Sequence, residues 1–134
     1  MMTIEEQIKH LVQKARTSAT QAKVIFGRIA ATDAQKIQAL LDIDTSGYVY
    51  VLDGDAVRHI VKEHGNQGKL SITDQDFELL PLIVNFHDKI EKAKYQGKAS
   101  GRVEYIKIVQ RKLHCIIEVR KKSKTMQVIT FYRS

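Results

Sequence analysis

The chain has 134 residues, a hydrophobic fraction of 43% and a formal net charge of +7, which suits one basic domain with a modest core. Its single cysteine, Cys115, excludes an internal disulfide framework, and no CxxC or HExxH spacing indicates a zinc site. The apolar runs are too short to cross a bilayer and the N-terminus does not resemble a signal peptide, so we expect a soluble, cytoplasmic protein without a cofactor, a metal or a membrane partner.

The first half of the chain predicts helices that alternate with short extended segments. Residues 4–15 carry apolar side chains at helical spacing, and Thr3 is placed to cap this helix. Residues 22–29 favour a strand because valine, isoleucine and phenylalanine follow one another there. A second helix is predicted over 32–43, capped by Thr32 or Asp33, and residues 47–52 read as an extended lead-in to the next helix.

That next helix contains two histidines, in the stretch AVRHIVKEHG at 56–65. Asp53 or Asp55 can cap its start, and Gly65 ends it. At 100° per residue, His64 falls within the apolar stripe, whereas His59 lies more than a right angle away, beside Glu63. Two interpretations stay open for each histidine: catalysis, or a helix-end cation for His64 and a surface pair with Glu63 for His59.

The second half of the chain predicts short helices followed by strands. Thr73 and Asp76 have capping-box spacing, and Pro81 is expected to begin the second of two short helical pieces. Residues 95–101 predict a loop. Three strands are predicted near 102–109, 113–120 and 126–132, with tight turns at Arg111–Lys112 and Lys121–Lys124. The sequence therefore predicts an α+β fold in a single domain, 1–134, with N-terminal helices packed on a C-terminal antiparallel sheet; residues 1–22 hold the N-terminal helix.

Positive charge is concentrated in the last third of the chain. Residues 1–85 hold 9 Lys/Arg and 11 Asp/Glu, whereas residues 86–134 hold 13 Lys/Arg and 4 Asp/Glu, a net charge of +9. A sheet with a basic surface attracts polyanions, and nucleic acid is the first candidate. The alternative is a solvated basic face that only keeps the protein soluble.

Strict alternation separates the side chains of the last two strands into two faces. In 113–120, His114, Glu118 and Arg120 lie opposite Cys115 and its apolar neighbours. In 126–132, Thr130 and Tyr132 share a face with Met126 and Val128. Glu118 and Arg120 read as a surface salt bridge, with Glu118 an alternative base. The three remaining histidines have no organised sequence context and are expected at the surface: His10, His87 and His114.

Several motifs occur in an order that resembles one nuclease family. Arg58, His59, Lys62, His64 and Gly65 form RHxxKxHG, which is followed by Gln67–Gly68, an IT-x-x-D helix start with Pro81, and a final Thr130-x-Tyr132 segment. From about residue 24 to residue 134 the chain resembles the phage-borne domain grouped with barnase, EndoU, colicin-type and RelE-like ribonucleases, the BECR fold. The linker at 65–70 departs from the family pattern because it lacks an acidic residue before Gln-Gly.

The resemblance implies a metal-independent ribonuclease, in which the RNA 2′-hydroxyl attacks the adjacent phosphate. Histidine suits both proton transfers because its imidazole gains and loses a proton near neutral pH. The candidate catalytic residues are His64, His59 and Thr130, and the candidate substrate-binding residues are Lys62, Arg120, Tyr132 and Lys107. The expected partners are RNA and an acidic antitoxin or immunity protein, for a toxin or a phage or secreted effector.

Two alternatives to the nuclease remain. One is a nucleic-acid-binding module of the same fold that binds RNA or DNA in a salt-dependent way without cleaving it. The other is a protein-interaction domain, for which neither RNA cleavage nor RNA binding is expected.

Overall fold

The computed structural model describes residues 1–97 and 101–134, so residues 98–100 of the predicted loop lie outside the described residues. The described residues form an α+β fold, as the sequence predicts. In chain order the elements are α1 (Ile4–Thr17), β1 (Lys23–Arg28), α2 (Ala31–Leu41), β2 (Val49–Asp53), α3 (Gly54–His64), two 3₁₀ turns (Gly68–Leu70 and Asp74–Leu79), α4 (Leu80–Phe86), β3 (Lys89–Lys92), β4 (Arg102–Val109), β5 (Arg111–Arg120) and β6 (Thr125–Arg133).

The strands form one six-stranded sheet in the order β1-β2-β6-β5-β4-β3. Among the described strands, β2 and β6 pair in parallel and the other neighbours are antiparallel. The sheet is therefore wider than the predicted three-strand meander. The charged edge strand β3 was not predicted because its sequence, Lys-Ile-Glu-Lys, contains only one apolar residue and is too short to show alternation.

Local signals identify most helix ends correctly. Thr3 caps α1 in a capping box with Glu6, Asp53 caps α3, and Thr73 and Asp76 form the predicted capping box. Pro81 lies in the first turn of α4, as expected.

Three local predictions are wrong. Neither Thr32 nor Asp33 caps α2, which begins after Ala30 without a side-chain cap. The Asp33 carboxylate instead contacts Nε2 of His87 at 3.2 Å, and the His87 side chain is only 7% exposed, so His87 is not at the surface. The turn before β5 is centred on Gln110, whose left-handed φ of 63° lets Val109 pair with Arg111.

One hydrophobic cluster joins the helices to the sheet. The buried face of α1 packs against α3, β1 and the 3₁₀ turn at Asp74–Leu79. Cys115 of β5 and Phe131 of β6 lie in the same cluster as Ile8 and Leu11 of α1. The first helix thus shares its core with the sheet.

A β-bulge in β6 interrupts the alternation that the sequence predicts. Ile116 pairs with Thr130 but Ile117 pairs with Val128, so Ile129 is the extra residue. Met126, Val128 and Phe131 consequently share the core side, while Thr130 and Tyr132 lie on the opposite side. The predicted grouping of Thr130 and Tyr132 with Met126 and Val128 is therefore wrong.

An ion pair fixes the end of β6 to the segment that follows α3. The Arg133 guanidinium donates two hydrogen bonds to Asp76, at 2.9 and 3.0 Å, and a third to the Ser71 carbonyl at 2.7 Å. Burial opposes ionisation of Asp76, but the bonds from Arg133 and Thr73 outweigh it and lower the pKa of the Asp76 carboxyl.

Replacing Asp76 with asparagine leaves the Arg133 charge largely buried without a counter-charge, so we expect a loss of about 3 kcal/mol of unfolding free energy. Urea denaturation at neutral pH measures this loss. The control is Asp74→Asn, which removes only the exposed ion pair with Arg16 and is expected to cost less than about 1 kcal/mol.

The same pair predicts a pH dependence. Because folding lowers the pKa of Asp76, its charge stabilises the fold fully above about pH 4 and this contribution is lost as the pH falls through the folded-state pKa. The difference between wild type and Asp76→Asn should shrink on acidification. A difference that stays constant down to low pH would contradict this account.

Candidate functional site

The sheet presents polar side chains on the face opposite the hydrophobic cluster, here called the open face. Register places Glu104, Ile116 and Thr130 in one row across β4, β5 and β6. The neighbouring row contains Ile106, His114 and Tyr132. These two rows line a cavity of about 730 Å³. Side chains from three strands therefore converge on one cavity, which makes it the candidate site.

A hydrogen-bonded cluster lies within this cavity. One carboxylate oxygen of Glu104 lies 3.2 Å from Nδ1 of His114, and the other accepts a hydrogen bond from the Tyr132 hydroxyl at 3.3 Å. The His114 and Tyr132 rings are stacked, with centroids 4.5 Å apart and planes 4° from parallel. Nε2 of His114 lies 2.7 Å from the Ser134 hydroxyl. The side chains of His114 and Glu104 are only 13% and 15% exposed.

The environment of Tyr132 keeps its hydroxyl protonated. Burial raises the pKa of the Tyr132 phenol, and the negative charge and hydrogen bond of Glu104 raise it further. The hydroxyl thus remains a donor to Glu104 at neutral pH. Since both Glu104 oxygens are engaged, this carboxylate orients His114 and Tyr132 together.

His64 reaches the same cluster from the end of α3. Its ring centroid lies 5.5 Å from that of Tyr132, and Nδ1 lies 3.4 Å from the side-chain oxygen of Gln67. The His64 carbonyl accepts a hydrogen bond from the Ile72 amide at 2.7 Å. The structure therefore turns His64 towards the protein, as the helical spacing predicts, and places it beside Tyr132.

Thr130 lines the cavity, and its hydroxyl is buried beneath the cavity wall. Its Oγ1 atom is buried and has no hydrogen-bond partner among the described residues. A buried hydroxyl without a partner is costly, so rotation of the Thr130 side chain towards a ligand in the cavity would gain a hydrogen bond.

His59 and Arg120 lie in a neighbouring depression of about 300 Å³. Ile129 lines both this depression and the cavity, so the two adjoin along β6. Glu118 is buried rather than at the surface, and it bonds both Arg120 and Arg102. The predicted Glu118–Arg120 salt bridge is therefore confirmed, but Glu118 is less accessible than expected.

Two predicted substrate-binding lysines lie elsewhere. Lys62 lines a separate groove between α1 and α3, beside Arg16 and Arg58. Lys107 falls between Ile106 and Ile108, which line the cavity, so alternation points its side chain to the other face. Its ammonium lies 3.8 Å from Asp88.

Sequence reasoning missed His114 and Glu104. His114 was expected at the surface, which is wrong because Glu104 and Tyr132 enclose it. The alternation of β5 already placed His114 on the face opposite Cys115, but it did not indicate which face is buried. The sequence did not show the register of β4 on β5 that brings Glu104 within hydrogen-bonding distance of His114, because this register depends on the turn at Gln110.

Among residues 1–97 and 101–134, no group of three or more His, Cys, Asp or Glu side chains is placed to hold a metal ion. No helix of these residues is long and apolar enough to cross a membrane.

Comparison with known proteins gives one family. The family model described as phage-Barnase-EndoU-ColicinE5/D-RelE like nuclease3 matches residues 27–134. This range includes all of the cavity side chains named above. No curated protein and no solved structure matches the chain.

The link between Glu104 and Tyr132 can be tested by titration. In Glu104→Gln the negative charge is gone, so the pKa of the Tyr132 phenol should fall towards its usual value. Phenolate absorbance against pH measures this, with Tyr132→Phe in each background identifying the signal of Tyr132. An unchanged Tyr132 titration in Glu104→Gln would show that the carboxylate does not act on the phenol.

Proposed function

This chain belongs to the phage-Barnase-EndoU-ColicinE5/D-RelE like nuclease family, and on that premise we propose that it is a metal-independent ribonuclease. The observation that supports this most is the cluster of His114, Glu104 and Tyr132 in the cavity, with His64 beside it. His114 in the cavity and His64 against Tyr132 can supply the two proton transfers that cleavage of RNA at a 2′-hydroxyl requires.

In the first step, His114 takes the proton of the 2′-hydroxyl. Glu104 bonds Nδ1 of His114, which fixes the ring and leaves Nε2 to exchange its contact with Ser134 for the substrate. The same contact holds the imidazole in the tautomer whose Nε2 can accept a proton. The freed oxygen then attacks the adjacent phosphorus.

In the second step, the bond between phosphorus and the 5′-oxygen breaks and His64 donates a proton to that oxygen. The products are a 2′,3′-cyclic phosphate and a free 5′-hydroxyl. The Thr130 hydroxyl and the cationic side chains of Arg102 and Lys112, which line the cavity, stabilise the charge that builds on the phosphate. His59 and Arg120 bind a neighbouring phosphate in the adjoining depression.

We propose that the biological context is a toxin or phage effector held inactive by an acidic antitoxin or immunity protein in the cytoplasm. The net charge of +9 over residues 86–134 supports an acidic partner. A complex of this kind should dissociate as salt is raised. A partner bound through another surface, insensitive to salt, would contradict it.

The ribonuclease proposal predicts cleavage of total RNA and of a tRNA pool in the presence of EDTA, leaving cyclic-phosphate ends. His114→Ala and His64→Ala should each lower the rate by about 100-fold or more, because each removes one proton transfer. His10→Ala, an exposed histidine on α1, is the matched control and should cleave like wild type.

A substrate with an activated leaving group separates the two roles. A nucleoside 3′-phosphate ester of nitrophenol needs no proton on its leaving oxygen, so it should restore activity to His64→Ala but not to His114→Ala. Activity restored to His114→Ala but not to His64→Ala would make His64 the base and His114 the acid. Folded wild type that binds RNA in a salt-dependent way but never cleaves it would establish the binding module instead.

A further inference from the structure

An exposed aromatic side chain lies at the rim of the cavity. Tyr95 is 72% exposed, and it lines the cavity with Arg102. The Arg102 guanidinium carbon lies 5.2 Å from the centroid of the Tyr95 ring. The guanidinium thus lies over one face of the ring, and the exposed remainder of the tyrosine offers a surface on which a nucleobase can stack.

Hydrogen bonds hold the main chain next to this pair. The Gln96 side chain donates to the Arg102 carbonyl and accepts from the Arg102 amide, both at 3.0 Å. Arg102 Nε in turn bonds Glu118 at 3.1 Å. Arg102 is thus held at its backbone by Gln96 and at its side chain by Glu118. Tyr95 is the residue next to Gln96 in the chain.

The cavity wall suits a nucleotide. Ile106, Ile108 and Ile116 supply apolar surface for the faces of a base. Lys94 and Lys112 supply positive charge for its phosphates. Ile108 is also a large apolar side chain left 55% exposed, which an organic ligand in the cavity would cover.

We propose that Tyr95 and Arg102 form a stacking site for one unpaired nucleobase, and that the substrate is therefore single-stranded RNA or an unpaired loop. This rests on the proposed ribonuclease function. His114 and Glu104 are largely buried within the cavity, so a nucleotide must enter it for its phosphate to reach them. In a duplex, pairing and stacking hold the bases inside the helix, where Tyr95 cannot stack on them.

The chain contains no tryptophan, so Tyr95→Trp places a single tryptophan at the rim, which can be excited separately from the tyrosines. Its fluorescence should be quenched when a short single-stranded oligonucleotide, blocked by 2′-O-methyl groups against cleavage, is added. The same oligonucleotide in a duplex should leave it unchanged. Phe86→Trp, at an exposed position of α4 that does not line the cavity, is the control and should respond to neither.

Kinetics supply the second measurement. Tyr95→Ala should raise KM for a single-stranded RNA about tenfold, with a smaller change in kcat, and Tyr95→Phe should restore KM because phenylalanine keeps the stacking face. Cleavage by wild type with an unchanged KM in Tyr95→Ala and no quenching in Tyr95→Trp would overturn the stacking site but leave the ribonuclease standing. Quenching in Tyr95→Trp without cleavage by wild type would support the stacking site and overturn the proposed catalysis.

Discussion

The extra residue in β6 determines what the open face of the sheet presents. Without the bulge at Ile129, strict alternation would place Thr130 and Tyr132 on the core side with Met126 and Val128. With it, Phe131 packs in the core while the residues on either side of it reach the cavity. Tyr132 can then stack on His114 and contact His64, which makes it the link between β5 and α3. The candidate site therefore depends on a backbone irregularity as much as on the side chains themselves.

Two sets of polar contacts hold the site in place. Glu104 uses both oxygens to orient His114 and Tyr132, which fixes the geometry within the sheet. The Arg133–Asp76 pair connects the residue after Tyr132 to the segment after α3, where Ile72 bonds the carbonyl of His64. His64 of α3 and His114 of β5 are thus both held in place relative to Tyr132. Such preorganisation lowers the cost of aligning reactive groups with a substrate.

How much the sequence predicts depends on the range of the interaction. The Asp53 cap, the Thr73–Asp76 box and the position of Pro81 are local, and they were predicted correctly. The parallel pairing of β2 with β6 and the bulge at Ile129 depend on register between distant segments, and no short-range pattern indicates them. In the candidate site, the turn of His64 towards the protein followed from helical periodicity. The pairing of His114 with Glu104 required the register of β4 on β5.

The most direct test of this account is an NMR titration of the histidine ring nitrogens with a nucleoside 3′-phosphate, a stable mimic of the cleaved product. The account predicts that the ring resonances of His114 and His64 shift together on binding, while those of exposed His10 and buried His87 do not. Single His→Ala variants assign the signals. Shifts that avoid both His114 and His64 while the phosphate binds elsewhere would contradict the placement of the reactive centre on the open face of the sheet.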